Sequence, residues 1–306
     1  GYSPSGNELF ERNPGGAPAN VLAALSNLGG KGAFIGKVGN DQFGYFLKKV
    51  LEDNSINVSG LKFSDDANTT LAFVHLDSKG DRSFSFYRKP GADTMLTADD
   101  LDFGIVDDAK IFHFGSLSMT DEPARTATLT AVEHARKKGK IISYDPNWRP
   151  PLWQSDDLAR KWMSTGLKYA DILKLSEIEL EFLTCEKDIE KGSEMLFNMG
   201  IKLVAVTLGP KGCFYRCSAG SGLVNTFDTK VIDTTGAGDA FLGALLYRIG
   251  RLESGLEAIS KRQIEDVVEF SNAAGALCAA KKGAISAMPY IYDIECCIGN
   301  IPKLIV

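Results

Sequence analysis

Lys230-Val-Ile-Asp-Thr-Thr-Gly-Ala-Gly-Asp-Ala-Phe-Leu-Gly-Ala-Leu-Leu246 is the stretch of this 306-residue sequence that indicates its fold most directly. A short β-like run ends at Asp233, a turn containing Gly236 and Gly238 follows, and an apolar helix begins near Asp239. The two glycines leave the backbone bare, so successive N–H groups at the positive end of the helix can converge on an anion. The pattern predicts a turn that holds a phosphate or an oxyanion.

Two other phosphate-binding loops fit this chain poorly. A dinucleotide-binding loop needs a third small residue where this chain has Phe241, which is too bulky for close helix–strand packing. A Walker A loop needs Gly-Lys followed by Ser or Thr, and the nearest candidate, Gly36-Lys37, is followed by Val38. On the residues alone a third interpretation stays open, in which Asp239 only caps the helix and the glycines only form a turn.

On either side of this stretch, β-like and helical segments alternate along most of the chain. This alternation predicts right-handed βαβ units and an α/β fold with a mostly parallel sheet covered on both faces. The predicted helices cover residues 17–28, 42–52, 122–138, 156–169, 177–185 and 190–199, and the predicted strands cover 33–38, 110–114, 140–144, 171–175 and 201–208.

One segment departs from this alternation of strands and helices. Residues 70–76 and 82–88 alternate apolar with polar side chains on either side of a polar turn, which predicts a β-hairpin. Leu71, Phe73, Phe84 and Phe86 are expected to form its apolar face. We expect residues 68–90 to project as a lid or a dimer surface from a single domain spanning 1–306, the alternative being a hairpin packed flat on the main sheet.

Composition excludes several classes of function. The chain has 34 Lys and Arg against 39 Asp and Glu, a net charge of −5, so no strongly positive field is available to hold a nucleic acid. The longest apolar runs are far shorter than a membrane span, and the polar start lacks a signal pattern, which favours a cytoplasmic protein. The six cysteines form no C-x-x-C pair, so we expect reduced thiols and no zinc site.

Two separated motifs resemble the signatures of the ribokinase-like, phosphofructokinase B-type carbohydrate kinases. Asp233-Thr-Thr-Gly-Ala-Gly-Asp-Ala-Phe241 is similar to the C-terminal signature, and Pro14-Gly-Gly-Ala-Pro-Ala-Asn20 to the N-terminal one. Segments 36–44, 87–93, 145–149, 174–179, 207–212 and 282–284 also match, so the resemblance covers nearly the whole chain, and it is strongest to the fructokinases. It implies a three-layer α/β/α sandwich with a small β lid and an ATP-dependent transfer of phosphate to the C6 hydroxyl of D-fructose.

The resemblance also implies a role for each matching residue. Asp239 is the catalytic base, and the backbone N–H groups of Gly236, Ala237 and Gly238 form the anion hole for the transferred phosphoryl group. The residues implied in sugar binding are Gly15, Gly16, Asn20, Arg88 and Arg149.

On the nucleotide side, the resemblance implies ATP, Mg²⁺ and a monovalent cation, K⁺. Ser176 replaces the asparagine usual in the family's N-x-x-E element, whose glutamate is Glu179. The implied ATP-binding residues are Lys174, Glu179, Thr207, Gly209, Gly212 and Asn272, and the implied cation site comprises Asp233, Thr235, Cys278, Lys281 and Gly283. The expected partners are a small sugar and ATP, with neither nucleic acid nor membrane, and a second copy of the chain that pairs through the lid.

Some alternatives stay open at this point. Family members open with a strand whose aspartate binds sugar hydroxyls, and this sequence begins after the place where that strand is expected, so the sheet would lack one strand. A 2-keto-3-deoxygluconate kinase or a ribokinase of the same family is the alternative activity. A non-catalytic sugar- or nucleotide-binding protein is the alternative of another class, and the presence of Asp239 argues against it.

Overall fold

The computed structural model describes residues 3–7, 9–76, 82–253 and 255–305, together with the side chains of all of these except 74–76 and 82–84. The turn predicted at 77–81 therefore lies outside the described residues. The helices are α1 (Ala17–Asn27), α2 (Gln42–Asp53), α3 (Phe103–Asp108), α4 (Ala124–Lys137), α5 (Asp156–Leu167), α6 (Glu177–Thr184), α7 (Ile189–Asn198), α8 (Ala237–Gly250), α9 (Lys261–Ala279) and α10 (Ile291–Asn300). The strands are β1 (Ala33–Gly39), β2 (Asn57–Ser64), β3 (Leu71–Leu76), β4 (Arg82–Tyr87), β5 (Ile111–Gly115), β6 (Ile141–Asp145), β7 (Ile172–Ser176), β8 (Leu203–Thr207), β9 (Cys213–Cys217) and β10 (Gly220–Val224).

The central sheet has six strands in the described part of the chain, in the order β10-β9-β8-β7-β6-β5. Strands β5 to β8 are parallel, whereas β9 is antiparallel to β8 and β10 to β9. The α/β class and the mostly parallel sheet are therefore confirmed.

Alternate side chains of the central strands pack into separate cores on the two faces of the sheet. Leu173 and Leu175 belong to a core that also contains Met163 of α5 and Leu196 of α7. Ile172, on the opposite face, packs with residues of α8 and α9. Because the two cores lie on opposite faces of one sheet, the molecule has three layers, α/β/α.

Strands β1 and β2 form a separate two-stranded parallel sheet, with Ile35 opposite Gly60. The sequence pattern predicted β1 but missed β2, and it indicated no second sheet. The run before the anion-binding turn also differs from the prediction, because no strand forms at 230–233. Val231 and Ile232 are 61% and 59% exposed, and the N–H groups of Ile232 and Asp233 both donate to the carbonyl of Ala279.

The predicted hairpin forms as an isolated antiparallel pair, β3–β4, rather than as an extension of the main sheet. The prediction of one apolar face was wrong. Phe73 is opposite Ser85 and Phe86 is opposite Ala72, and since paired residues share a face while successive residues alternate, Leu71 and Phe73 lie on one face and Phe86 on the other. The side chain of Phe84 lies outside the described residues.

Helices α1 and α8 pack very closely. A Cβ atom added to Gly243 of α8 would lie 2.6 Å from the Cβ of Ala24 in α1, so only glycine permits this approach. One turn before each of these residues lie Asp239 and Asn20, on the same two helices. The close crossing therefore brings Asn20 to Asp239.

All six cysteines are free thiols, as predicted. Among the helices that the structure describes, none has the length and apolar character of a membrane span.

Candidate active site

Asp239 lies in the first turn of α8, which begins directly after the glycine turn. Gly236 precedes the helix in the left-handed conformation, with φ +80°, which a residue with a side chain adopts only at a cost. The first N–H groups of a helix have no carbonyl partner within it, and here that of Ala237 donates to Thr234 O over a long 3.3 Å. The predicted anion hole of Gly236, Ala237 and Gly238 therefore lies at the N-terminal end of α8.

The Asp239 carboxylate is bonded across the site rather than to its own helix. Its Oδ2 accepts a hydrogen bond from Nδ2 of Asn20 at 2.7 Å, and no side-chain cap is formed at the start of α8. The interpretation of Asp239 as a mere helix cap is therefore wrong. Burial raises the pKa of Asp239 to about 6, although Lys174 and the Asn20 amide act in the opposite direction.

Asn20 is predicted to bind a sugar hydroxyl, and in the structure its Nδ2 donates to Asp239. The side chain is only 5% exposed, and its Oδ1 is buried without a hydrogen-bond partner in the described chain. An unpaired buried acceptor costs free energy, so this oxygen is the part of Asn20 that a ligand hydroxyl would satisfy. Gly15 and Gly16 lie exposed just before α1, and Gly16 O accepts the Asn20 N–H.

A buried ion pair that the sequence prediction missed lies next to Asp239. Lys174 of β7 donates from Nζ to Oδ2 of Asp145, at the end of β6, over 2.9 Å. Burial alone would lower the pKa of Lys174, but the carboxylates of Asp145, Glu179 and Asp239 more than offset this and raise it. The sequence carried a signal, because a lysine inside the apolar strand 171–175 requires an anionic partner nearby.

Glu179 is engaged by the protein's own backbone. One carboxylate oxygen accepts from the N–H and the hydroxyl of Ser176, which forms a capping box, and the other accepts from the N–H of Trp148 at 2.6 Å. Glu179 therefore ties the start of α6 to the loop that follows Asp145. That loop carries the exposed Arg149, whose positive charge lowers the pKa of Asp239 less than Lys174 does.

Arg88 does not join the cluster around Asp239. Its side chain is 6% exposed, and its guanidinium donates to Asp93 Oδ2, Thr120 Oγ1 and Leu117 O. These bonds fasten the end of the β3–β4 ribbon to the segment after β5. The structure thus gives Arg88 a role in anchoring the ribbon.

The five residues predicted for a monovalent cation do lie together. The two oxygens of Asp233 accept the N–H groups of Thr235 and Gly283, and the Cys278 thiol lies 3.7 Å from Thr235 O. The carbonyl of Cys278 accepts the N–H of Lys281 at 3.1 Å. This cluster adjoins the anion hole, since a Cβ on Gly236 would lie 3.1 Å from Ala284.

Four of the six predicted ATP-binding residues form a second group, apart from Lys174 and Glu179. Asn272 of α9 donates its amide to Val224 O at 2.8 Å, and the backbone of Gly212 packs against the same carbonyl so closely that no Cβ would fit. Thr207, at the end of β8, donates its hydroxyl to Leu175 O, and Gly209 follows with open space around it. These contacts build a turn at the carboxyl end of the sheet, where ligands bind in open α/β folds.

Comparison with known proteins gives close matches over almost the entire chain. Residues 4–291 match the model of the pfkB family carbohydrate kinases. The chain is 47% identical over 290 residues to "Probable fructokinase-2" of Arabidopsis thaliana, a match that covers 94% of this chain and 88% of the relative.

Solved structures agree with the sequence match. A fructokinase from Xylella fastidiosa with bound ATP superposes with a TM-score of 0.89 at 35% identity, covering 95% of this chain and 92% of that one. A fructokinase from Vibrio cholerae O395 in a fructose-, ADP- and calcium-bound form gives 0.87 at 35% identity, with the same coverage. A double mutant of the Vibrio enzyme was solved with fructose, ADP and a potassium ion, and matches with a TM-score of 0.86 at 35% identity over 94% of this chain and 91% of that one.

Proposed function

Because the chain belongs to the pfkB family of carbohydrate kinases, we propose that it transfers the γ-phosphoryl group of ATP to the C6 hydroxyl of D-fructose, giving fructose 6-phosphate. The observation that carries this proposal is the position of Asp239. A buried carboxylate lies at the N-terminal end of α8, bonded to Asn20 beside the sugar-side glycines. That arrangement provides a base and an anion site within one helical turn.

The chemistry follows from this geometry. Asp239 accepts the proton of the C6 hydroxyl as the oxygen attacks the phosphoryl group, and the backbone N–H groups of Gly236–Gly238 stabilise the charge on the transferred group. Because transfer proceeds through a loose transition state, the hydroxyl loses its proton late, and a carboxylate is a sufficient base. Asn20 orients that carboxylate through Nδ2 and offers Oδ1 to the sugar.

We also propose that Mg²⁺ accompanies ATP and that K⁺ binds beside the anion hole. Asp233 and the carbonyls of Thr235 and Cys278 supply oxygen donors, which suit a hard cation, and the aspartate can supply the negative charge. The cation would order the backbone next to Gly236. Mg²⁺ is commonly held through substrate phosphates rather than by a protein cage. No group of three or more His, Cys, Asp or Glu residues suited to a metal occurs in the described chain.

A panel of sugars tests the choice of substrate. With MgATP, we expect D-fructose to give the highest kcat/KM, because a site that recognises hydroxyls through buried polar groups leaves those groups unpaired with the wrong sugar. The panel includes ribose and 2-keto-3-deoxygluconate, and coupled ADP release is the measurement. If either alternative sugar gives the higher kcat/KM, the proposed substrate is wrong although the kinase activity stands; ADP release with no sugar dependence would contradict both.

The β3–β4 ribbon is proposed to act as the lid over the sugar and to pair with the ribbon of a second copy. Phe73 contacts Phe10 and Tyr87 with ring centroids 5.2 and 5.4 Å apart, while Phe10 and Tyr87 are themselves largely exposed. A two-stranded ribbon is marginally stable by itself, and an exposed aromatic patch is a candidate interface. The cytoplasmic location stays a prediction.

Light scattering tests the pairing. We expect a dimer at micromolar concentration and a shift to monomer for Tyr87→Lys, because the charge would be placed in the aromatic patch. Tyr292→Lys is the matched control, since Tyr292 is equally exposed but lies on α10. If the wild-type protein is monomeric at this concentration, the proposed dimer is wrong, whereas the proposed role of the ribbon as a lid is unaffected.

A further inference from the structure

The Asp145–Lys174 ion pair is almost completely buried. The two side chains are 3% and 9% exposed, and their charged atoms are 2.9 Å apart. Burying such a pair costs the hydration of both charges, and replacing it with apolar residues is often neutral or stabilising. The location of this pair therefore suggests a function other than holding the fold together.

Lys174 directs its ammonium group towards the anion hole. A Cβ added to Gly238 would lie 3.0 Å from Lys174 Nζ, so the ammonium group lies directly against the residue before Asp239. In β7, Lys174 alternates with Leu173 and Leu175, whose side chains fill the other core. Lys174 thus faces α8, with Asp145 on the neighbouring strand as its hydrogen-bond partner.

Each element around Asp239 contributes a definite charge. Helix α1 offers the neutral Asn20, β6 the anionic Asp145, the following loop the cationic Arg149, and β7 the cationic Lys174. Helix α9 offers Cys278, whose pKa is raised by burial to about 12, so the thiol is neutral. After burial itself, Lys174 has the largest effect on the pKa of Asp239 and lowers it, whereas Asp145 has a smaller effect and raises it.

We propose that Asp145 and Lys174 are positioning residues for the base: Lys174 keeps the buried Asp239 carboxylate ionised, and Asp145 holds the Lys174 ammonium in place. The proposal rests on the proposed role of Asp239, and it gives Lys174 a function other than the nucleotide contact implied by the family resemblance. Neither residue takes the proton, which goes from the sugar hydroxyl to Asp239.

The pH profile of kcat/KM for fructose separates these effects. A base must be deprotonated to act, so wild-type activity falls as the pH drops through the pKa of Asp239, about 6. Lys174→Met moves this acidic limb to higher pH. Asp145→Asn keeps an oxygen that accepts from Lys174 Nζ and removes only the negative charge, so it moves the limb to lower pH. The double variant lies between wild type and Lys174→Met. A limb displaced by one unit gives about tenfold lower kcat/KM on the acidic side.

The double variant also addresses folding, because Lys174→Met alone leaves a buried unpaired carboxylate. In Asp145→Asn/Lys174→Met both charges of the pair are removed together, so Asp145 is not left as an unpaired buried carboxylate. ATP and its metal complex titrate identically in assays of all four proteins. Differences among the acidic limbs of the four pH profiles therefore come from titration of the protein and not of the nucleotide.

A direct titration distinguishes failure of this proposal from failure of the proposed function. In protein labelled with ¹³C at aspartate carboxyls, without ATP, the Asp239 signal is identified by its absence in Asp239→Asn, and its pKa is read in each variant. We expect the same order of shifts as in the kinetics. An Asp239 pKa that is unchanged in both Lys174→Met and the double variant would overturn the proposal, whatever the activity. The proposal would also be overturned if Lys174→Met left the acidic limb of the pH profile unmoved and raised the KM for ATP tenfold.

Discussion

Replacing Asp239 with asparagine is expected to lower kcat for fructose by at least about 10²-fold, the low end of a general-base contribution. Asparagine has nearly the same shape and keeps an oxygen to accept the hydrogen bond from Asn20, but its amide cannot take a proton. The fold and the affinities for fructose and ATP are therefore expected to change little. Steady-state kinetics measures the loss, and calorimetric binding of fructose shows that the site is intact.

Asp266→Asn is the matched control for this variant. Asp266 is an exposed aspartate on α9, so the same change of charge is made away from the cluster around Asp239. The control should turn over like the wild type. Near-normal kcat in folded Asp239→Asn protein would show that Asp239 is not the base.

The second large effect is expected at Gly236. Alanine there must adopt φ near +80°, and its Cβ would lie 3.1 Å from both Cα and Cβ of Ala284. The loop has to shift, which displaces the N–H groups proposed to bind the phosphoryl group. Loss of one such donor costs about 10²-fold or more in kcat, so Gly236→Ala is expected to fall by about that factor.

Gly220→Ala separates this effect from backbone strain. Gly220 begins β10 with φ +114°, and an added Cβ would meet no atom within 4 Å. Both variants bear the cost of a positive φ, and only Gly236→Ala disturbs the anion hole. We expect Gly220→Ala to lose stability with normal kcat; normal kcat in Gly236→Ala would contradict the role of this loop.

The alternation of apolar segments predicted the layers well, because the period of side-chain burial depends on local sequence. It could not predict that β1–β2 would pair apart from the main sheet, since pairing depends on contacts distant in the chain. The isolated β3–β4 pair was anticipated because polar turn residues and alternation are local signals. The face assignment failed because it ignored the register, which places Phe73 opposite Ser85.

Within the site, motifs located the residues more reliably than they assigned the contacts. The resemblance implied that Asp239 and Asn20, 219 positions apart, both act on the sugar, and it did not predict the hydrogen bond between them. Arg88 and Asn272 were predicted as ligand contacts, and their polar atoms bind other parts of the chain. Residue type alone could not show this, because a side chain that binds a ligand and one that holds a loop use the same donors.

The family assignment inferred from the two glycine-containing motifs is confirmed by the family match over residues 4–291. Asp145 lies in the matching segment 145–149, for which the resemblance implied a role only for Arg149, although a lysine at 174 in a buried strand requires an acid on a neighbouring strand. The tertiary structure supplied that partner.

The identity of the phosphorylated product tests the central claim most directly. With D-fructose, MgATP and this protein, ³¹P and ¹³C NMR of the reaction mixture should show fructose 6-phosphate formed in equal amount to ADP. A phosphate on C1, or ADP formed with no sugar phosphate, would contradict the proposed transfer to the C6 hydroxyl.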